Sequence, residues 1–252
     1  MARGLRPHTH EDRRRVLERV ASQARAHFGD NLIALASTGS FARGDDGAYS
    51  DLEATAFLTE MPPGKRGVGR IVDGLLIELI WTTRQAWLDM VCASPGEEGH
   101  LAGSDVLQPV INPEFIAGLK AEARRVRRDT CLTLAHNHWH DVQESTAKVL
   151  KASACGDAEA LSLVFPDMAR HVLISLAFLN ARPFTTFARF ISEARTFDLL
   201  PPSFEPMAAA LRSDYSDTAG IHALALALFD DMEGLLDLTE VRPYQEALKL
   251  FE

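Results

Sequence analysis

The chain changes character near residue 128, and that change limits the folds open to it more than any other feature. Before it, strand-like runs alternate with helical ones. After it only helical periodicity remains. The pattern predicts an α+β protein, with an N-terminal mixed sheet and flanking helices over residues 1–127 and an all-helical bundle over 128–252. At 252 residues both parts are long enough to bury a core.

In the first part, a helix is expected from about Thr9 to Phe28. Thr9 and Asp12 have capping-box spacing, Val16, Leu17, Val20, Ala24 and Phe28 form an apolar stripe, and Gly29 follows as a stop. Arg13-Arg14-Arg15 reads as a solvated face of that helix, since acids surround it. Strands are expected at Leu32–Ser37 and Asp51–Leu58. A hairpin should turn at Asp73-Gly74 between Arg70–Val72 and Leu75–Trp81, and 62–69 reads as a loop. Helices follow from Thr83 to Val91 and from the Asn112-Pro113 start to about Arg127. The second part predicts a long helix over Asp129–Ala154 and another over Asp157–Asn180 that bends or restarts at Pro166. Shorter helices should occupy Phe187–Phe197, Ser203–Leu211 and Thr218–Leu236. Trp81, Trp87 and Trp139 read as core or interface residues.

Charge and cysteine use exclude several classes. Residues 1–127 hold 16 Lys/Arg and 17 Asp/Glu, whereas 128–252 hold 10 and 18. An acidic helical half suits a cationic partner and argues against nucleic acid, which needs a basic contact surface. No apolar run approaches the ~18 residues that span a bilayer, and the N-terminus lacks an apolar signal core. Three widely spaced cysteines, Cys92, Cys131 and Cys155, fit no disulfide framework. The expectation is a cytoplasmic protein with no membrane partner.

Three features of the first part converge on phosphate and metal chemistry. Gly39-Ser40 follows directly on a buried strand, where backbone N–H groups and a hydroxyl suit an anion. Asp51 and Glu53 start the second strand two residues apart, on one face and about 6.6 Å apart along it. Like charges so placed call for a cation, and a hard divalent ion such as Mg2+ takes carboxylates together with substrate phosphates. Glu78 interrupts the apolar run Leu75–Trp81, where a buried acid needs a partner. If that strand lies beside the second one, Glu78 completes a three-carboxylate cluster.

Gly-Ser, then Asp-x-Glu, then a lone acid on a later apolar strand resembles the nucleotidyltransferase superfamily related to DNA polymerase β. The run Gly39-Ser40-Phe41-Ala42-Arg43-Gly44-Asp45-Asp46-Gly47-Ala48-Tyr49-Ser50-Asp51-Leu52-Glu53 is similar to the aminoglycoside 4′-O-nucleotidyltransferases, the kanamycin nucleotidyltransferase family. The resemblance implies transfer of a nucleoside monophosphate from Mg-NTP, ATP or another, to an antibiotic hydroxyl (the 4′-OH), giving resistance. It implies Asp51 and Glu53 as metal ligands and catalytic residues. Gly39, Ser40, Arg43 and Ser50 would grip the nucleotide with Lys148 and, in the place of a family threonine, Thr186. Glu144, followed one turn later by Lys148, matches the family's general base and lysine. Glu78, Asp141, His140 and Glu144 would meet the aminoglycoside, although His140 stands where the family tends to be acidic. A homodimer is implied by the family alone.

His136-x-His138-x-His140 invites a metal reading. On a helix, however, His136 and His140 share a face with Glu144 and Lys148 while His138 points almost opposite, so the stripe reads as pocket wall. Rival functions are a template-using or terminal polymerase, a nucleotidyltransferase acting on another small molecule, a protein-modifying or antitoxin-like module, and a non-catalytic scaffold. The acidic helical half, the long helix with its Glu/Lys pair and the retained acids weigh against the polymerase, the antitoxin and the scaffold respectively.

Overall fold

The structure, a computed structural model, describes residues 4–93, 107–125, 127–182 and 184–238. Met1–Arg3 and Pro183 lie outside the described residues, as does the side chain of Cys92. The chain divides into two compact units, one running to Arg127 and one starting at Arg128.

The first unit is built on helix α1 (His10–Phe28) and a five-stranded sheet: β1 (Leu32–Thr38), β2 (Leu52–Leu58), β3 (Gly67–Val72), β4 (Leu75–Thr83) and β5 (Gln108–Ile111). Thr9 and Asp12 make the expected reciprocal cap on α1. Strand order is β3-β4-β2-β1-β5, with β2 and β4 parallel and all other pairs antiparallel. The sheet is therefore mixed and, with the helical second unit, the protein is α+β. Asp73 and Gly74 both take positive φ (52° and 85°), the turn an Asp-Gly hairpin demands.

Alternation along β1 and β2 separates two apolar layers. Leu35, Leu52, Ala54, Ala56 and Leu58 form one layer with Leu17 and Ala21 of α1. A short helix, α2 (Gly39–Arg43), follows β1 directly. On the other layer, Ala34, Ala36 and Phe57 meet Trp87 and Leu88 of α3 (Arg84–Ala93) and Ile116 and Leu119 of α4 (Pro113–Arg125). Strand β5 had no alternation to reveal it, being four residues long and carrying Pro109. Proline is tolerated there because β5 is an edge strand. The loop expected over 62–69 ends early, since β3 begins at Gly67.

The second unit consists of α5 (Arg127–Ala154), α6 (Ala158–Leu179), α7 (Phe190–Ala194), α8 (Phe204–Ala210) and α9 (Thr218–Leu238), among the described residues. Trp139, Phe165, Met168, Leu176, Phe178 and Met232 lie in its core. Of the bend or restart expected at Pro166, the restart does not occur, and α6 runs through the proline as one helix. Burial of Leu161, Phe165, Met168 and Ala169 around the proline holds the helix against the loss of one backbone hydrogen bond. As a folded helix α6 is long and apolar enough to cross a bilayer, but 61% of its most apolar window is buried inside the protein. It is a core helix.

One arginine governs how the chain enters the central strand β2. Arg14 and Arg15 are exposed and pair with Glu11 and Glu18, as expected. Arg13 does the opposite: it is fully buried. Its Nε donates to Ser50 O (2.9 Å) and its Nη2 to the carbonyls of Gly47 (2.7 Å), Ala48 (3.2 Å) and Ser50 (2.7 Å). Its Nη1 donates to His8 O (3.1 Å) and to Asp46 Oδ2 (3.0 Å), and the Asp46 side chain is only 2% exposed. The expectation of three solvated arginines thus fails at Arg13. It lies four residues before Leu17, on the core-facing stripe of α1, and that spacing was the available signal.

Removing one member of a buried ion pair strands the other. Arg13→Met is expected to cost about 3–5 kcal/mol in urea unfolding. Arg13→Lys should recover less than half, because an ammonium cannot serve carbonyls in a planar fork. A loss below ~1 kcal/mol for Arg13→Met would refute the clamp.

Candidate active site

Where β1 ends, the chain enters α2 through Gly39, whose φ is +66°. A Cβ built there would lie 1.8 Å from Glu53 Oε2, so the Glu53 carboxylate occupies the space that any side chain at 39 would need. Glycine is required twice over, by conformation and by the close approach. Ser40 O accepts from Asp45 N (3.1 Å) and Gly44 caps α2 in the left-handed region, which turns the chain back toward β2. Ser50 then closes a tight turn: its Oγ accepts from Gly47 N (3.0 Å), and its own N–H donates to Gly47 O (3.1 Å).

Asp51 stands one residue before β2, and Glu53 lies in it, paired across the parallel ladder with Glu78 of β4. One carboxylate oxygen from each of Asp51, Glu53 and Glu78 lies within 4.8 Å of the others. The structure brings the three predicted acids together. It corrects one expectation: Glu78 is exposed, not buried. Strand β4 alternates imperfectly and is half-covered along most of its length, so its apolar run did not signal burial on both faces.

The electrostatics show why these acids want a cation. Burial pushes the Glu53 carboxyl up, and the negative charges of Asp51 and Glu78 push it further. Arg43 opposes them weakly. Arg43 is itself engaged, with its Nε 3.2 Å from Asp45 Oδ1. The donor set is all oxygen, the Gly39 cradle fixes Glu53, and three mutually repelling anions converge; these residues fit a hard divalent cation of the Mg2+ type.

In the second unit, Glu144 and Lys148 share one face of α5. Lys148 Nζ donates to Glu144 Oε1 at 3.0 Å, and both side chains are about half exposed. The hydrogen bond and the charge of Lys148 hold the Glu144 carboxyl below its usual range, and Glu144 raises Lys148 in turn. His136 and His140 are exposed on α5, and His138 is buried, as the helical spacing required. Asp141 is half-buried and binds His138 Nδ1 (3.0 Å). Thr186 precedes a single 3-10 turn at Phe187–Arg189 in extended conformation, and makes no cap through its side chain.

The backbone is similar to that of a nucleotidyltransferase-like protein from Exiguobacterium sibiricum 255-15, at a TM-score of 0.55 over 90% of this chain and 81% of that one. Their sequences are 8% identical, so the likeness is one of fold. No curated protein sequence matches the chain. The family described as "KNTase C-terminal domain" matches residues 115–241, just over half of the sequence, and the chain belongs to that family.

Two outcomes test this geometry. Gly39→Ala should leave the fold intact by circular dichroism yet weaken Mg2+ or Mn2+ binding at least tenfold, because Glu53 must move; unchanged affinity would dissociate Gly39 from the site. Glu53 also sets a pH dependence. Its folded-state pKa is raised above the unfolded value near 4.5, so the folded protein holds a proton that the unfolded one releases. Metal-free stability should therefore fall as pH rises from about 4.5 through the raised value. Glu53→Gln should flatten that slope in urea titrations.

Proposed function

We propose that the protein is an aminoglycoside nucleotidyltransferase: R–OH plus NTP gives R–O–NMP plus pyrophosphate, with an antibiotic hydroxyl (the 4′-OH) as acceptor and ATP as the first nucleotide to test. The observation that carries the reading is the convergence of Asp51, Glu53 and Glu78 beside the Gly39-Ser40 turn, in a chain of the KNTase C-terminal domain family.

Asp51 and Glu53 would hold the divalent cation, with Glu78 supporting the site or meeting substrate. When bound, that ion draws charge from the phosphate oxygens and aligns the triphosphate. Ser40, the backbone N–H groups around it, Arg43 and Ser50 would hold the phosphates that leave as pyrophosphate. Glu144 would accept the proton from the attacking hydroxyl. Its lowered pKa keeps it ionised at neutral pH, the state a base needs, so the proton moves only as the new O–P bond makes the hydroxyl acidic. Lys148 would offset charge at the α-phosphate, and Thr186 would contact the nucleotide. Positioning and electrostatics account for most of the acceleration in such chemistry.

Charge supports a polycationic substrate. The half of the chain from residue 128 holds 18 acids against 10 bases, and Asp141, His140 and Glu144 on one helix offer it polar contacts. The protein would act as a homodimer, as the family resemblance implies, and in the cytoplasm, as its three widely spaced cysteines suggest.

Incubating the protein with labelled ATP, Mg2+ and an aminoglycoside panel should yield a nucleotidylated antibiotic and pyrophosphate. Glu144→Gln should cut turnover at least a hundredfold with nucleotide affinity nearly intact, and Asp51→Asn should abolish metal-dependent transfer. Antibiotic affinity should weaken steeply with salt. Transfer to no aminoglycoside, or salt-insensitive binding, would overturn the substrate assignment; normal turnover by Glu144→Gln would remove the base.

A further inference from the structure

Round α5 from Glu144 and Lys148 lies a second cluster, centred on His138, of which the proposed reaction uses only Asp141. His138 is buried, and its Nε2 lies 3.2 Å from Nδ1 of His171 on α6. The other nitrogen of His138 is 3.0 Å from Asp141 Oδ2. The outer nitrogen of His171 receives an Arg170 guanidinium N–H at 3.4 Å and stands 3.6 Å from Asp167 Oδ1. These partners fix the tautomer of His138. Asp141 only accepts, so His138 carries its proton on Nδ1 and a lone pair on Nε2. His171 has both a donor (Arg170) and an acceptor (Asp167) at its outer nitrogen, so either tautomer is open to it; with the proton on Nδ1 it donates to His138. Burial holds His138 down to about 4 and lowers His171 as well, so both rings are neutral at physiological pH.

We infer that His138 and His171 form a site for a nitrogen-seeking first-row dication, Zn2+ first among them, separate from the carboxylate cluster of the first unit. One ligand-capable atom from each of His138, Asp141 and His171 lies within 4.8 Å of the others. Two nitrogens bound to tetrahedral zinc at ~2.0–2.1 Å stand about 3.3–3.4 Å apart, close to the spacing the two imidazoles already have. To ligate through Nδ1, His171 shifts its proton to Nε2, beside Asp167, so no net proton is lost. Asp141 then receives the Nδ1–H of a metal-bound His138, the carboxylate–histidine–metal arrangement that orients such ligands. Solvent completes the shell from the side of His171, which is half-buried. Softer imidazole donors select against Mg2+, and the all-oxygen trio suits it, so the chain sorts two kinds of cation between its two units.

The test is a Co2+ titration of the full-length protein without nucleotide. The intense visible bands of low-coordinate, nitrogen-bound cobalt should appear at one equivalent and be displaced by Zn2+. His171→Ala should abolish them, Asp141→Asn should weaken binding by about 10–100-fold, and Asp51→Asn should leave them unchanged. Zn2+ at a hundred times its Kd should raise the Tm of the wild type by about 5–10 °C. Weak six-coordinate bands only, bands that persist in His171→Ala, or bands lost in Asp51→Asn would each overturn the site.

Discussion

The buried guanidinium of Arg13 is the constraint on which the geometry of the first unit depends. The loop from Gly44 to Ser50 joins a five-residue helix to a central strand and turns its carbonyls inward, where no strand partners them. Five N–H groups in a fixed plane satisfy those carbonyls from a single side chain, and Asp46 balances the charge. Burying an ion is costly unless every donor finds an acceptor, and here every donor does. The gain is positional. Ser50 O receives two of the bonds, and the next residue is Asp51. The first carboxylate of the cluster is thus tied to helix α1 through one residue of backbone.

On that rigid frame the chain accepts a local electrostatic conflict. Like charges directly across a ladder are unfavourable, yet Glu53 faces Glu78 in register, with Asp51 beside them. Burial makes Glu53 worse off still. Nothing in the packing of the sheet asks for these acids; the apolar layers on both faces are complete without them. A place where local preference is overruled at one point, in an otherwise self-consistent fold, is where function is to be sought.

Much of this was legible in the sequence because it rests on short-range rules. The Thr9/Asp12 cap, the Asp73-Gly74 turn, the strands flanking Gly39 and the two-residue spacing of Asp51 and Glu53 are each determined within a few positions. What was hidden depends on pairing at long range. Strand β5 exists because β1 offers it an edge, not because Gln108–Ile111 alternates. The exposure of Glu78 follows from how much of β4 is covered, which no window of residues states. Arg13 is the instructive case. Its neighbours Arg14 and Arg15 obey the surface rule, while its partner loop lies more than thirty positions away. A charged residue on the apolar stripe of a helix reads as an error until the carbonyls it serves are known. The uninterrupted α6 follows the same logic, since tertiary burial outweighed the proline.

Helix α5 carries two polar clusters at different positions round its axis. Glu144 and Lys148, an exposed i,i+4 pair, lie on one face with His140; His138 lies round the barrel of the helix, against α6. Asp141 touches His138 and so couples the buried histidine pair to the exposed side of α5. Asp167, Arg170 and His171 recur at the i, i+3, i+4 spacing on α6, so the polar stripe of that core helix is itself helical in period. Their placement beside His138 sets one polar patch into the otherwise apolar packing of α5 and α6. Its polar groups are paired side chain to side chain, and that pairing holds the two imidazoles with one nitrogen of each 3.2 Å apart.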